Sequence, residues 1–252
     1  MKNENLKEKY DQVFSAGSEK FFSVNYFNEA HTIVGMGEWQ NKAVLDVGCG
    51  EGVLCSMVAH AGAYRVVGID YSSEAITNAN KKFNMDNLEF YAGDHKEIDE
   101  KFDVITMEGV MEHFDSPWDE LKDMLDNRLN ENGYLITSSP SFLNPRGYVW
   151  MTLLKLFDVP MSLTDIHYIC PFDMKNFCEE NGYNLEYKSI YQDWGSGSGM
   201  IEDFDKRLRN ALRDANMDNS KVDDLLEWLS QAKDFFKQDD NSGAVVVYKV
   251  TK

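Results

Sequence analysis

The 252 residues carry 25 Lys and Arg against 43 Asp and Glu, a formal net charge of −18. That length suits one α/β domain with insertions and a substantial buried core. The charge disfavours wrapping nucleic acid, whose binding rests on Lys and Arg neutralising phosphate, and it disfavours an anionic membrane surface. Cys49, Cys55, Cys170 and Cys178 show no C-x-x-C spacing and read as structural thiols of a reducing compartment. Met1 to Asn5 has no apolar leader character, and the most apolar segment, Gly147 to Leu154, falls far short of the ~20 residues a bilayer demands. A cytoplasmic protein with no stable membrane insertion is expected.

Residues 1–40 read as an N-terminal helical arm rich in aromatics: Tyr10, Phe14, Phe21, Phe22, Tyr26 and Phe27. Aromatics on helical segments ordinarily pack. Lys42 to Val47 then reads as a buried strand, broken by Gly48, Gly50 and Gly52 before an apolar helix from Val53 to Ala61. Alternate glycines between strand and helix let the backbone pass close under a ligand. The next strand, Tyr64 to Ile69, ends in Asp70, 22 residues after Gly48, where an acid can accept hydrogen bonds from both hydroxyls of a ribose. The dinucleotide pattern G-x-G-x-x-G is not met, because its sixth position is Val53 and Gly52 comes one place early. Asp46 and Glu51 would also repel a pyrophosphate. They suit a ligand carrying an ammonium and a sulfonium, which is S-adenosylmethionine (SAM).

With these residues the sequence resembles the class I SAM-dependent methyltransferases. The resemblance makes Asp46 through Gly52 the first cofactor motif, with Gly48, Cys49 and Gly50 among its contacts. Asp70 becomes the ribose acid, with Tyr71 beside it. It also brings an N-terminal arm over the methionine end of the cofactor, with Tyr10 as the contact. A third strand, Asn87 to Ala92, leads to Gly93-Asp94-His95, where the resemblance places Asp94 by the adenine amino group and His95 at its flank. A fourth, Phe102 to Met107, leads to Glu108 at the cofactor and on to Met111-Glu112-His113-Phe114, and a fifth runs from Gly133 to Ser139. Helical stretches at Glu74 to Phe83 and Trp118 to Leu129 alternate with these strands. The expected fold is α/β: a Rossmann-like, seven-stranded, mostly parallel sheet with helices on both faces, plus the N-terminal arm and helical insertions forming a cap. Gly48, Asp70, Asp94 and Glu108 all fall at the carboxyl ends of strands, where such sheets bind ligands.

Beyond the SAM-binding core of 41–140, residues 141–194 read as an acceptor segment. It holds an apolar helix from Tyr148 to Phe157, the run Thr164 to Phe172, a helix from Asp173 to Asn181 and a sixth strand from Tyr183 to Ile190. His167 in that run, and Met111-Glu112-His113, look like ubiquinone-type O-methyltransferases. That subfamily carries a Glu three residues before its Glu-His pair, where this chain has Gly109. The departure weighs against a metal-assisted route, and no metal site is expected. Residues 195–242 form a helical insertion: a glycine-serine hinge from Gly195 to Gly199, then two amphipathic helices striped by Ile201, Phe204 and Leu208 and by Val222, Leu225 and Leu229. The insertion is read as a lid over the acceptor or as a subunit contact that would make a homodimer. Residues 243–252 complete a seventh strand, paired with the sixth.

The function these readings favour is transfer of the SAM methyl to a small-molecule acceptor, foremost a hydroxyl, with His113 or His167 as the base. An N- or C-methyltransferase and a non-catalytic SAM-binding protein are the alternatives. Nucleic-acid or protein methylation is disfavoured by the charge. It is also disfavoured by Met107-Glu108-Gly109-Val110, which stands where an Asn/Asp-Pro-Pro-Tyr motif would be.

Overall fold

The computed structural model describes residues 4–16, 27–161, 167–191, 193–237 and 239–252. The arm aromatics Phe21, Phe22 and Tyr26 and the run from Thr164 to Ile166 lie outside the described residues. By compactness the chain divides into two units. One comprises Met1–Ser139, Lys175–Glu186 and Val247–Lys252, the other Pro140–Met174 and Tyr187–Val246.

The sheet has seven strands, β1 (Ala43–Val47), β2 (Arg65–Asp70), β3 (Leu88–Ala92), β4 (Phe102–Glu108), β5 (Leu129–Pro140), β6 (Asn184–Ile190) and β7 (Val245–Thr251). Their order is β3-β2-β1-β4-β5-β7-β6, and β3 through β5 pair in parallel. β1 sits at the centre with all five residues buried, as a strand covered on both faces requires. β3, at the edge, leaves Glu89, Tyr91 and Ala92 exposed. The fifth strand begins earlier than its glycine suggests. Leu129 already pairs with Phe102, and the register then jumps to Val104 opposite Tyr134, so Asn130 to Gly133 bulge out of the ladder.

In the first unit the helices follow their capping chemistry. α1 (Glu4–Ala16) and α2 (Phe27–Met36) precede the sheet, α3 (Val53–His60) follows β1 and α4 (Ser73–Lys82) follows β2. The Ser72 hydroxyl caps α4 by accepting from the Ala75 amide at 3.1 Å, and Glu74 and Lys81 sit at the dipole ends that favour them. α5 (Pro117–Asp123) stops short of the predicted Leu129. Its last turn widens into a π-turn over Met124–Arg128, where the Arg128 guanidinium donates to the carbonyls of His95 and Ile98, both at 3.0 Å. α7 (Pro171–Asn181), divided between the two units after Met174, precedes β6.

In the second unit, α6 (Pro145–Phe157) is capped by Asn144, whose Oδ1 accepts from the Gly147 amide at 2.9 Å. Trp150 of this helix is fully buried, within a cluster that includes Phe204, Met200 and Leu208 of α9 (Ser198–Asp214) and Val222 and Leu229 of α10 (Val222–Ala232). The Gly195 to Gly199 stretch differs from its expected role as a hinge. Asp193–Ser196 forms a short helix, α8, and Gly195 is buried, so that a Cβ added there would lie only 2.9 Å from that of Ala244. The Asp193 carboxylate also accepts from the Gly199 amide. The glycines are there for close packing and a tight turn rather than for freedom of movement.

Candidate active site

The loop from Gly48 to Gly52 is built so that only glycine fits its key positions. Gly48 and Gly52 hold φ of +71° and +78°. A Cβ on Gly48 would lie 2.5 Å from Val110 Cγ2, and one on Gly52 2.4 Å from Phe90 Cζ. The amides of Gly48 and Cys49 both donate to the Ile69 carbonyl, at 2.8 and 3.1 Å. Asp70 continues this clasp: Oδ2 accepts from the Gly50 amide at 2.9 Å and Oδ1 from the Ser72 amide at 2.8 Å. Burial raises the Asp70 carboxyl, the two amides oppose that rise, and the Asp11 carboxylate adds to it.

Asp46 and Cys49 face inward. Asp46 is 2 % exposed and accepts from Thr106 Oγ1 at 2.6 Å and Cys55 Sγ at 3.0 Å. These bonds occupy both oxygens within the core, so Asp46 props the loop from beneath. Burial also raises the Cys49 thiol. For Asp46, burial outweighs the hydrogen bonds from Thr106 and Cys55 and pushes the carboxyl up to about 6. A folded-state value above the unfolded one makes stability fall as pH rises from about 4 to about 6, and level off beyond. Two pH units correspond to about 3 kcal/mol. In urea titrations, wild type should therefore gain up to about 3 kcal/mol relative to Asp46→Asn between pH 7 and pH 4. A difference that stays constant across that range would show that Asp46 is ionised at no cost.

The residues expected around the adenine are joined to one another. Burial, then the Asp94 carboxylate beside it, raises the Tyr71 phenol. Burial alone would raise Asp94, but the Lys96 amide, the Tyr71 hydroxyl and the neighbouring His95 and Lys96 hold it below the usual carboxylate range. His95, expected as a flanking contact, is buried with Nδ1 3.2 Å from Asp94 Oδ1 and Nε2 3.2 Å from Glu120 Oε2. Burial lowers its pKa despite those two acids. The structure thus gives His95 a supporting position, holding Asp94 in place.

Helix α1 reaches the same end of the sheet with three side chains. The Tyr10 hydroxyl and His113 Nε2 are hydrogen-bonded at 3.1 Å. Asp11 Oδ1 accepts from the Ser72 hydroxyl at 2.6 Å. Phe14 is the neighbour that a Cβ on Gly50 would meet, at 3.6 Å. His113 sits in the turn Met111–His113 after β4. His167 belongs to the second unit, and its Nε2 is buried without a hydrogen-bond partner among the described residues. Among the described residues, no three His, Cys, Asp or Glu side chains are arranged to hold a metal ion.

Glu108 closes β4. Its Oε1 is buried with no partner among the described residues. Burial, then the nearby Glu29 and Asp46, raise the Glu108 carboxyl well above its ordinary value. Asp11, Ser72, Glu29 and Glu120 stand beside the expected site residues and were missed by sequence reasoning. Only Ser72, as a helix cap ahead of Glu74, carried a local signal.

Residues 39–193 match the family model for a methyltransferase domain. The chain belongs to the class I SAM-dependent methyltransferases. Over 105 residues this methyltransferase is 39% identical to a ribosomal protein L11 methyltransferase of Lactobacillus johnsonii, covering 40% of this chain and 32% of that protein. Over 172 residues it is 29% identical to the mitochondrial ubiquinone biosynthesis O-methyltransferase of Schizosaccharomyces pombe, covering 62% of each. The methyltransferase thus spans between about a third and two thirds of the length of these curated relatives. A solved chain described as the DhpI-SAM-HEP complex superposes with a TM-score of 0.63 at 12% identity, covering 97% of this chain and 95% of that one. The cofactor of the methyltransferase is SAM. The residues present fit it: a glycine loop, an acid at the tip of β2, and a buried carboxylate oxygen at the end of β4 left open to a positively charged group. No helix among the described residues is long and apolar enough to cross a membrane.

Proposed function

We propose that this methyltransferase acts on the hydroxyl group of a small molecule. The observation that carries the reading is His113, held by Tyr10 on the turn after β4. A ring nitrogen there can take the proton of a hydroxyl as its oxygen is alkylated, once the Tyr10 hydroxyl releases it. The ubiquinone-type relative supports it as well, because its match extends over 62% of this chain, well beyond the 105 residues shared with the L11 enzyme.

In this reading Asp70 accepts from the ribose hydroxyls, using the lone pairs that the Gly50 and Ser72 amides leave free. Asp94, kept ionised, accepts from the adenine amino group, with Tyr71 and His95 fixing its direction. Gly48 and Gly50 bring the backbone close, and Cys49 and Asp46 support the loop from below. Bound SAM supplies an electrophilic methyl carbon on a sulfonium. The protein's task is to align, to exclude water and to accept one proton, which are positioning effects and general-base catalysis. His167 is the second candidate base.

Isotope-labelled SAM offered with catechols, phenols, primary amines, ribosomal protein L11 and total RNA tests the proposal. Label should appear as an ether of a catechol or phenol. Label confined to amines, protein or RNA would overturn it.

A further inference from the structure

His95 presents both ring nitrogens to carboxylates: Nδ1 lies 3.2 Å from Asp94 Oδ1, and Nε2 lies 3.2 Å from Glu120 Oε2. The Asp94 carboxyl is held low and is therefore ionised, so Nδ1 carries a proton toward it. Nε2 meets a second carboxylate, and that contact also needs a proton, on the ring or on the acid. The rest of His95 is fixed by other means. The Arg128 guanidinium donates to its carbonyl at 3.0 Å, and the Phe114 ring lies beside the imidazole with centroids 5.7 Å apart. Neither contact sets the direction in which the nitrogens point. Among the described residues, Glu120 of α5 does so from the far side of the ring, and Lys96 Nζ donates to its other oxygen. On the near side, Asp94 Oδ1 accepts from the Lys96 amide at 3.0 Å as well as from His95. Both contacts fall on one oxygen, which fixes where Oδ2 stands.

We infer that Glu120 is a positioning residue for base selection, acting through His95 on Asp94. The inference rests on reading Asp94 as the acceptor of the adenine amino group. A carboxylate held in one direction meets that amino group, whereas with hypoxanthine it faces a carbonyl oxygen, acceptor against acceptor. A carboxylate free to turn can instead reach the ring N–H that hypoxanthine carries beside its carbonyl. Choice of base therefore depends on how firmly Asp94 is held, and Glu120 anchors it from α5, on the far side of the imidazole.

The experiment is calorimetric titration of the full chain with S-adenosylhomocysteine and with S-inosylhomocysteine, whose base is hypoxanthine. Glu120→Leu should weaken S-adenosylhomocysteine about threefold to tenfold, as for one ordinary hydrogen bond, and leave S-inosylhomocysteine within about twofold. Glu120→Gln should stay within about twofold of wild type for both ligands, because its amide can donate to Nε2 of a neutral ring. His95→Phe should narrow the preference for adenine as Glu120→Leu does, and combining the two should add nothing. An unchanged preference in folded Glu120→Leu, a Gln variant as impaired as the Leu variant, or additive losses in the double variant would each overturn the proposal. If Asp94→Asn leaves the preference unchanged, it is the placing of adenine at Asp94 that fails. Should Glu120→Leu not fold, Glu120→Ser, too short to reach the ring, gives the same readouts.

Discussion

His113→Ala should lower methyl transfer to a hydroxyl acceptor by roughly 10²–10⁴-fold while SAM affinity stays within a few-fold, the usual consequence of losing a general base. The ring is held by Tyr10 at 3.1 Å, so Tyr10→Phe should give a smaller loss in the same parameter, through freedom of the ring. If Tyr10 acts only through His113, the double variant should be no worse than His113→Ala alone. Near-normal turnover of His113→Ala, measured beside a large loss in His167→Ala, would make His167 the base. If both variants are active, the acceptor arrives as a free nucleophile.

Asp70→Ala should weaken SAM binding by at least about tenfold, since hydrogen bonds to a charged group contribute about 1.5–3 kcal/mol each. The structure raises this expectation above the loss of ribose contacts alone. The same carboxylate holds the Gly50 and Ser72 amides, so its removal also unties the glycine loop from the start of α4. Asp70→Asn should be nearly as damaging, because a side-chain NH2 would then point at an amide N–H that needs an acceptor. Circular dichroism and thermal melting separate this from unfolding. Unchanged SAM affinity in a folded variant would remove Asp70 from the site.

The cofactor loop was legible because its constraints are local. A buried run, three glycines and an acid at a fixed distance reflect backbone sterics and strand length, which neighbouring residues determine. The direction of Asp46 was not legible, since Thr106 and Cys55 draw it inward from other elements. Asp11 and Glu29 escaped notice for a similar reason: they approach from helices ahead of the core, and no spacing ties them to Ser72 or Glu108. Gly195 to Gly199 was misread because composition alone looks flexible. Only the packed structure shows Ala244 against Gly195 and the Asp193 carboxylate on the Gly199 amide.

Helix α1 spans 13 residues, a length at which an isolated helix is marginal in water. Its order is borrowed from docking, through Tyr10, Asp11 and Phe14. Docking and helix formation are therefore one event, and peeling α1 away means melting it. Heating or mild denaturant should therefore melt α1 and release Tyr10, Asp11 and Phe14 together before it touches the sheet.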